Sequence, residues 1–271
     1  MAVLYLVATP IGNLEDISQR ALRTLREVKL IAAEDTRRSR QLLNRYEIKT
    51  PLVSYHEHNK WGRLGYLLNF LETGDVALVA DAGMPGMSDP GYELVIAANE
   101  RGFPVVAVPG PSAIITALAI SGLPTDRFIY LGFLPRRAGS RRRLLKSVAS
   151  ERGTIVALES PHRLLATLGD ILSVLGDRRV AACRELTKVH EEVFRGRVSQ
   201  ALAHFTQPRG EFTLIIGGEE EREKPGLTGD IELRLRQMRL SGATRREAVS
   251  SLARETGLSR RELYQAWLKS P

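Results

Sequence analysis

Val76-Ala77-Leu78-Val79-Ala80-Asp81-Ala82-Gly83-Met84-Pro85-Gly86-Met87-Ser88-Asp89-Pro90-Gly91 is the stretch on which the fold turns. Its first five residues are all apolar, which is the pattern of a strand covered on both faces of a parallel sheet. The next eleven hold three glycines and two prolines. Glycine lets backbone approach a ligand closely, and proline makes the loop stiff. Residues 90–99 then read as a helix with Pro90 in its first turn, where the missing N–H costs nothing. Strand, stiff loop and helix make one βα unit. In an open parallel sheet such loops, at the carboxyl ends of the strands, are where ligands bind.

Working outward, the unit repeats. Residues 4–8, 30–33, 51–54 and 105–108 read as short buried strands, and residues 16–28, 36–46, 63–71 and 112–120 as helices. Two more strand-end loops are rich in Gly and Pro: Thr9-Pro10-Ile11-Gly12-Asn13 and Pro109-Gly110-Pro111-Ser112-Ala113. Alternating strands and helices predict an α/β domain over residues 1–121. Gly122-Leu123-Pro124-Thr125 breaks the pattern, and residues 122–218 predict a second α/β domain, with strands at 128–131, 154–158, 180–183 and 212–216. A charged Gly/Pro-containing linker at 217–226 leads to a helical module over 226–271. There Thr244 and Glu247 form a capping box, Gly257 ends one helix and Ser259 opens the next, a helix-turn-helix-like pattern ringed by Arg245, Arg246, Arg254, Arg260 and Arg261.

Charge is distributed unevenly. Residues 1–120 carry 12 Lys+Arg against 13 Asp+Glu, residues 121–220 carry 16 against 11, and residues 221–271 carry 11 against 7. A neutral first part followed by basic ones suits a polyanion met by the later parts. Arg136, Arg137, Arg141, Arg142, Arg143 and Lys146 crowd one short stretch and read as contacts to a phosphate backbone. The one cysteine, Cys183, excludes an internal disulfide and a cysteine-built zinc cage. No apolar run approaches a membrane span, and the chain does not open on a basic segment followed by an apolar one, so the cytoplasm is the expected location and no membrane partner is expected.

Dinucleotide and P-loop glycine motifs are missing, which disfavours a dehydrogenase or a nucleotide hydrolase. His56-Glu57-His58-Asn59 could chelate a metal, but lacks a supporting third cluster and reads as a polar loop at a substrate cleft; no metal is expected. Asp81, at a strand end, can accept from a ribose hydroxyl or an amino group, or simply cap its turn. Glu159-Ser160-Pro161-His162-Arg163 and Arg184-Glu185-Leu186-Thr187-Lys188 stand at strand ends of the second domain and could bring acid, base and phosphate-binding groups to one rim, or be surface ion pairs.

These segments together resemble one family. Residues 5–14 (YLVATPIGNL), 33–37 (AEDTR), 81–91, 108–113 (VPGPSA), 132–136 (GFLPR), 159–164 (ESPHRL) and 184–188 (RELTK) follow, in order over about residues 3–217, the motifs of the ribosomal RNA small subunit methyltransferase I family. Met84 stands where Thr is more usual there, a change that a main-chain contact tolerates.

The resemblance implies a class III, tetrapyrrole-methylase-like enzyme: two α/β domains with an S-adenosylmethionine cleft between them, usually a homodimer. It implies 2′-O-methylation of a cytidine ribose in the decoding region of 16S ribosomal RNA, within free RNA or the small ribosomal subunit. It carries Pro10, Asp81, Ala82, Gly83, Met84, Pro85, Ser112 and Ala113 to one cofactor wall, and Leu158, Glu159, Ala182 and Thr213 to the adenosine end. In-line placement of the acceptor does most of the work in such a transfer, helped by a base or a nearby cation. Glu159, His162 and Lys188 are the candidates for that role. A methyltransferase for a small molecule such as a tetrapyrrole and a non-catalytic RNA-binding protein remain as alternatives; the basic later parts speak against the first, the three Gly/Pro loops against the second.

Overall fold

The computed structural model describes residues 2–219 and 229–269, in two compact units divided after Glu219. Most of the expected linker, from residue 220 to 226, lies outside the described residues.

The first sheet is wholly parallel. Strands β1 (Leu4–Val7), β2 (Leu30–Ala33), β3 (Leu52–Ser54), β4 (Val76–Val79) and β5 (Val105–Val108) lie in the order β3-β2-β4-β1-β5. From β1 the chain moves outward through α1 (Gln19–Glu27) to β2 and α2 (Thr36–Arg45) to β3. It then returns through α3 (Lys60–Leu71) to β4 and α4 (Tyr92–Glu100) to β5. Right-handed crossovers in opposite directions must leave their helices on opposite faces. Accordingly α1 and α2 cover one face, with Ala21, Leu25, Leu42 and Leu43 on Val7, Ile31 and Val79. Helices α3 and α4 cover the other, with Leu67, Leu71, Leu94 and Ala98 on Leu4, Ala32 and Leu78. Where the reversal occurs, β1 and β4 lie side by side, and the loops after them leave in opposite directions. A crevice opens at such a switch point.

Helix α5 (Ala113–Ile120), capped by the Ser112 hydroxyl, carries the chain to the second sheet. Its strands β6 (Phe128–Phe133), β7 (Thr154–Glu159), β8 (Arg179–Arg184), β9 (Glu192–Arg197) and β10 (Phe212–Ile216) run in the order β6-β7-β10-β8-β9, with only β6 and β7 parallel. Sequence reading missed β9. It is an edge strand whose outer residues include Arg195 and Arg197, and charges on an edge mask the alternation that would betray a strand.

The two faces of this sheet have different fates. Ile155, Val180, Ala182, Phe212, Leu214 and Ile216 face α6 (Ala138–Ser147), α7 (Leu164–Leu175) and α8 (Val198–His204). Val156, Ala181, Cys183 and Ile215 face α5 and Ile11 of the first loop. That second face joins the two sheets into one unit. On the helix side, Arg141 of α6 is buried and pairs with buried Asp170 of α7, which also takes a hydrogen bond from Arg142. The basic stretch around α6 is therefore not uniformly a phosphate surface, because two of its six cations are engaged by Asp170.

The second unit comprises α9 (Gly229–Leu240), α10 (Arg245–Thr256) and α11 (Arg260–Lys269). Thr244 and Glu247 do form a reciprocal capping box, and Gly257 does end α10 in the left-handed conformation. Ile231, Leu235, Ala248, Leu252, Leu263 and Trp267 supply a core of its own. No described helix is long and apolar enough to cross a membrane.

Candidate active site

The loops after β1 and β4 are stitched together at the switch point. Thr9 N–H donates to Gly83 O (2.9 Å), Gly83 N–H returns to Thr9 O (3.0 Å), and the Thr9 hydroxyl donates to Ala80 O (3.1 Å). Gly83 has φ +78°, so the closing turn requires a glycine. The loop after β5 lies against the same place: a Cβ built on Gly110 would stand 3.0 Å from the Cβ of Ala8. Pro10, Asp81, Ala82, Gly83, Met84, Pro85, Ser112 and Ala113, the set assigned from sequence to one cofactor wall, thus lie on loops gathered at one end of the first sheet.

The second sheet meets this end at three points. Asn13 N–H donates to the Thr187 hydroxyl (3.0 Å). Ser88 and Tyr130 share a hydroxyl–hydroxyl hydrogen bond of 2.7 Å. The third is α5 on β10, described above. Gly12 is essential to the first of them. A Cβ there would fall 2.5 Å from Lys188 Cγ, 2.7 Å from Thr187 Oγ1 and 2.9 Å from the Leu186 carbonyl. Gly12→Ala is therefore expected to destabilise by about 1–3 kcal/mol, as overpacking of a tight contact does. A melting temperature equal to that of the wild type would contradict this reading.

Register decides which residues of the second sheet look toward the crevice. Leu158, Thr213 and Cys183 pair directly across β7, β10 and β8, so they share one face. That is the face of Val156, Ile215 and Tyr130, the one turned toward α5. Leu158 and Thr213, two of the residues expected at the adenosine end, therefore share the face turned toward α5. Ala182 does not: it pairs with Leu214, and its side chain enters the core under α7 and α8. Glu159 pairs with Phe212 on that same far side. Its carboxylate is buried and accepts from Ser160 N–H (2.7 Å), the Arg163 guanidinium (2.6 Å) and the Thr167 hydroxyl of α7 (2.6 Å). Strand-end position alone suggested both residues for the cleft; a strand alternates, and each sits one residue out of phase with Leu158 or Cys183. Cys183, on the same face as Thr213, is fully buried in the core with Ile11, Leu186 and α5. Burial pushes its thiol up to about 11, so it is protonated at neutral pH.

His162 lies exposed in the short turn after β7. Lys188 lies in the loop after β8, a segment that bends sharply at Glu185 (φ +50°) and Thr187 (φ +64°). Partial burial works against the charge of Lys188, but its hydrogen bonds to Glu185 (2.9 Å) and Glu211 (3.0 Å) prevail and raise its pKa. It is a fixed cation at neutral pH and not a base.

The rim of the crevice is acidic. Glu34 accepts from Asp81 N–H (3.3 Å), and Asp81 accepts from Asp35 N–H (3.0 Å) and pairs with Arg38 (3.3 Å). Asp35 holds Arg37 and caps α2. Burial raises the Glu34 carboxyl above the ordinary range. Asp89 completes the group; burial, then Glu34 and Asp81, push it up to about 7. A cationic sulfonium and ammonium suit these carboxylates, and the apolar sheet face suits a nucleoside. S-adenosylmethionine fits the residues present. Among the described residues no cluster of His, Cys, Asp and Glu could hold a metal ion. His56 to Asn59 form the turn into α3, tied by Asn59 to the His56 N–H (2.8 Å) and the Ser54 hydroxyl (3.0 Å).

Residues 3–202 match the family described as tetrapyrrole (corrin/porphyrin) methylases. A protein named ribosomal RNA small subunit methyltransferase I from Synechocystis is 49% identical over 274 residues, covering 99% of this chain and 98% of that one. One of the same name from Thermotoga maritima is 55% identical over 223 residues, 81% of this chain and 100% of that one. Among solved structures, a diphthine synthase superposes with a TM-score of 0.65 at 13% identity, covering 80% of this chain and 90% of that one. A uroporphyrin-III-C-methyltransferase from Thermus thermophilus gives 0.56 at 22% identity, covering 80% and 94%. These two likenesses concern the fold alone.

Proposed function

This chain belongs to the tetrapyrrole (corrin/porphyrin) methylases and, within them, to the ribosomal RNA small subunit methyltransferase I family, and from that premise we propose that it methylates the 2′-oxygen of a cytidine ribose in the decoding region of 16S ribosomal RNA. It is an S-adenosylmethionine-dependent methyltransferase of ribosomal RNA; the acceptor atom and nucleotide are the finer part of this reading. The observation that carries it is the switch point itself: three main-chain-rich loops, stitched by Thr9 and Gly83, with Leu158 and Thr213 on the second-sheet face turned toward α5 and the first of those loops.

The bound cofactor supplies an electrophilic methyl carbon. The chain's own residues do the rest. Pro10, residues 81–85, Ser112 and Ala113 hold one side of the cofactor by main-chain contacts. Leu158 and Thr213 line the adenosine end, while Ala182 and Glu159 support it from behind. Lys188 offers a fixed positive charge to a phosphate, and His162 stands exposed beside the same rim to meet the RNA. Exposed Arg136, Arg137, Arg143 and Lys146 extend that surface. In the helical unit Arg246, Arg254, Arg260 and Arg261 are exposed as well, and Arg245 stacks on Tyr264 at 4.6 Å, so this unit adds RNA affinity.

Trp61, Tyr66, Tyr92 and Ile96 of α3 and α4 are large apolar side chains left exposed, so we assign the homodimer contact to the first α/β domain, residues 1–121, and the second wall and RNA side to residues 122–218. We place it in the cytoplasm, with the ribosomal RNA it modifies.

The test is transfer of labelled methyl to small ribosomal subunits lacking their own ribose methylation, with the modified nucleotide mapped. Label on one decoding-region cytidine at the 2′-oxygen is expected. No label on RNA, despite measurable cofactor binding, would move the acceptor to a small molecule. Removing residues 226–271 is expected to weaken RNA binding and flatten its salt dependence while sparing cofactor affinity; equal loss of both would count against an RNA role for the helical unit.

A further inference from the structure

We infer that Asp89 is the catalytic residue that takes the proton from the acceptor hydroxyl; the inference rests on the function proposed above.

The crevice rim holds four carboxylates, and three are already engaged. Glu34 holds Asp81 N–H, Asp81 holds Asp35 N–H and Arg38, and Asp35 holds Arg37. Away from the rim, Glu159 is saturated by Ser160, Arg163 and Thr167, and Glu185 by Lys188 and Glu211 N–H. Among the described residues Asp89 has neither a hydrogen bond nor an ion pair, although it is only half-exposed and precedes a helix that it does not cap. Its oxygens are therefore free to meet a substrate.

Its position is fixed from both sides. Ser88, with φ +70°, is strapped to Tyr130 of β6 by the 2.7 Å hydrogen bond. Gly132 leaves room for that strap, since a Cβ there would stand 3.2 Å from the Ser88 hydroxyl. Gly91, on the other side, has φ +154° and lies so close to Leu78 and Gly86 that a Cβ would meet them at 2.9 Å and 3.2 Å. Asp89 is thus held between the first sheet's carboxyl ends and the second sheet's crevice face.

The groups that face it are Glu34 from the end of β2, Asp81 from the end of β4 with its partner Arg38 from α2, and Tyr130 from β6. Burial and two like charges bring its pKa near neutrality, where a general base combines availability with driving force. A cation arriving at this rim stabilises the carboxylate form.

The step balances without a further reactant. The acceptor oxygen forms its bond to the methyl carbon as the carbon–sulfur bond breaks, and the electron pair of that bond stays on sulfur. The hydroxyl proton passes to an Asp89 oxygen and leaves to solvent after product release.

Asp89→Asn tests this, with wild type alongside, by single-turnover methylation of small ribosomal subunits at saturating cofactor across pH 5.5–8.5. Calorimetry of S-adenosylmethionine binding in buffers of different ionisation enthalpy supplies a readout independent of turnover. Expected for the variant are cofactor and RNA affinities within about threefold of wild type, a fall in rate of about 10²–10⁴-fold, and loss of the acidic limb of the pH profile. The wild type is expected to release up to about a third of a proton on cofactor binding near pH 7, the most that a threefold difference in affinity allows, and the variant none. A variant that transfers methyl within threefold of wild type, or that still releases the proton, overturns the assignment alone. A wild type that binds cofactor but methylates no RNA overturns the proposed function, and the assignment with it. Equal melting temperatures exclude misfolding as the source of any loss.

Discussion

Replacing Asp170 with alanine is expected to cost the two-sheet unit about 3–5 kcal/mol, the usual result of removing one partner from a buried ion pair. Asp170 and Arg141 are both buried, their charged atoms 2.6 Å apart, and the second carboxylate oxygen holds Arg142 at the same distance. Arg141 also reaches the carbonyls of Pro135 and Arg136, at a marginal 3.4 Å each. Without the carboxylate its guanidinium stays under α7 with those weak acceptors alone, since the α6 backbone and Leu145 beside it keep it inside. For a unit of this size a loss of that order lowers the melting temperature by about 6–20 °C. The effect has a pH signature. Burial alone would raise the Asp170 carboxyl, but Arg142 and Arg141 outweigh it, and its pKa lies below the ordinary carboxylate value. A depressed folded-state pKa contributes stability above the unfolded value, near pH 4, and that contribution is lost as pH falls through the folded value. The gap between wild type and Asp170→Ala should therefore be constant from neutrality down to about pH 4 and narrow below it. Thermal or denaturant unfolding across that range checks both statements; a gap under 1 kcal/mol at pH 7 would mean that Arg141 finds other partners.

The same ion pair shows what the sequence could and could not tell. Six cations near α6 announce a charged surface, and nothing local distinguishes Arg141, which turns inward, from Arg143, which does not. The distinction belongs to Asp170, 29 positions away. Elements were more legible than partners. Residues 30–33 and 76–80 are apolar without interruption because the parallel sheet buries both their faces, and residues 4–8 and 105–108 are equally apolar although β5 is an edge strand with Ala107 exposed, so all four strands could be read directly. The loops that carry the crevice were legible because their glycines and prolines answer to backbone requirements that leave a trace in one sequence: positive φ at Gly83 and close approach at Gly110.

What was not legible depends on pairing. Which of Leu158 and Glu159, or of Ala182 and Cys183, lies on the face turned toward α5 is a matter of parity, and parity is set by register with β10. Asp89 lay within the stretch that decided the fold, yet its distinguishing property is the want of a partner, and that appears only when Glu34, Asp81 and Arg38 have been placed around it.

Glu159 supplies the sharpest test of that parity argument, because chemistry and structure predict opposite results for one conservative change. Were it the base for the transferred proton, Glu159→Gln would lower single-turnover methylation by about 10²–10⁴-fold. Its geometry predicts otherwise. The carboxylate lies on the α7 side of the sheet, and its three donors are Ser160 N–H, Arg163 and the Thr167 hydroxyl. A glutamine can accept from the first two with its carbonyl and donate to the Thr167 hydroxyl with its amide, so every group keeps a partner. The loss is that of charge assistance, about 1–2 kcal/mol of stability. Methylation at saturating cofactor should stay within a few-fold of wild type, because Arg163 still bonds the Leu134 carbonyl and the turn bearing His162 keeps its place. Glu159→Ala differs in kind. It leaves a largely buried guanidinium without its counter-charge and strips an acceptor from both Ser160 and Thr167, which should cost about 3–5 kcal/mol. A positioning residue thus gives a large stability loss for alanine, a small one for glutamine, and a rate that follows the turn and not the charge. A glutamine variant that is stable and inactive would return Glu159 to the reacting atoms and would require β7 to sit one residue out of the register seen here.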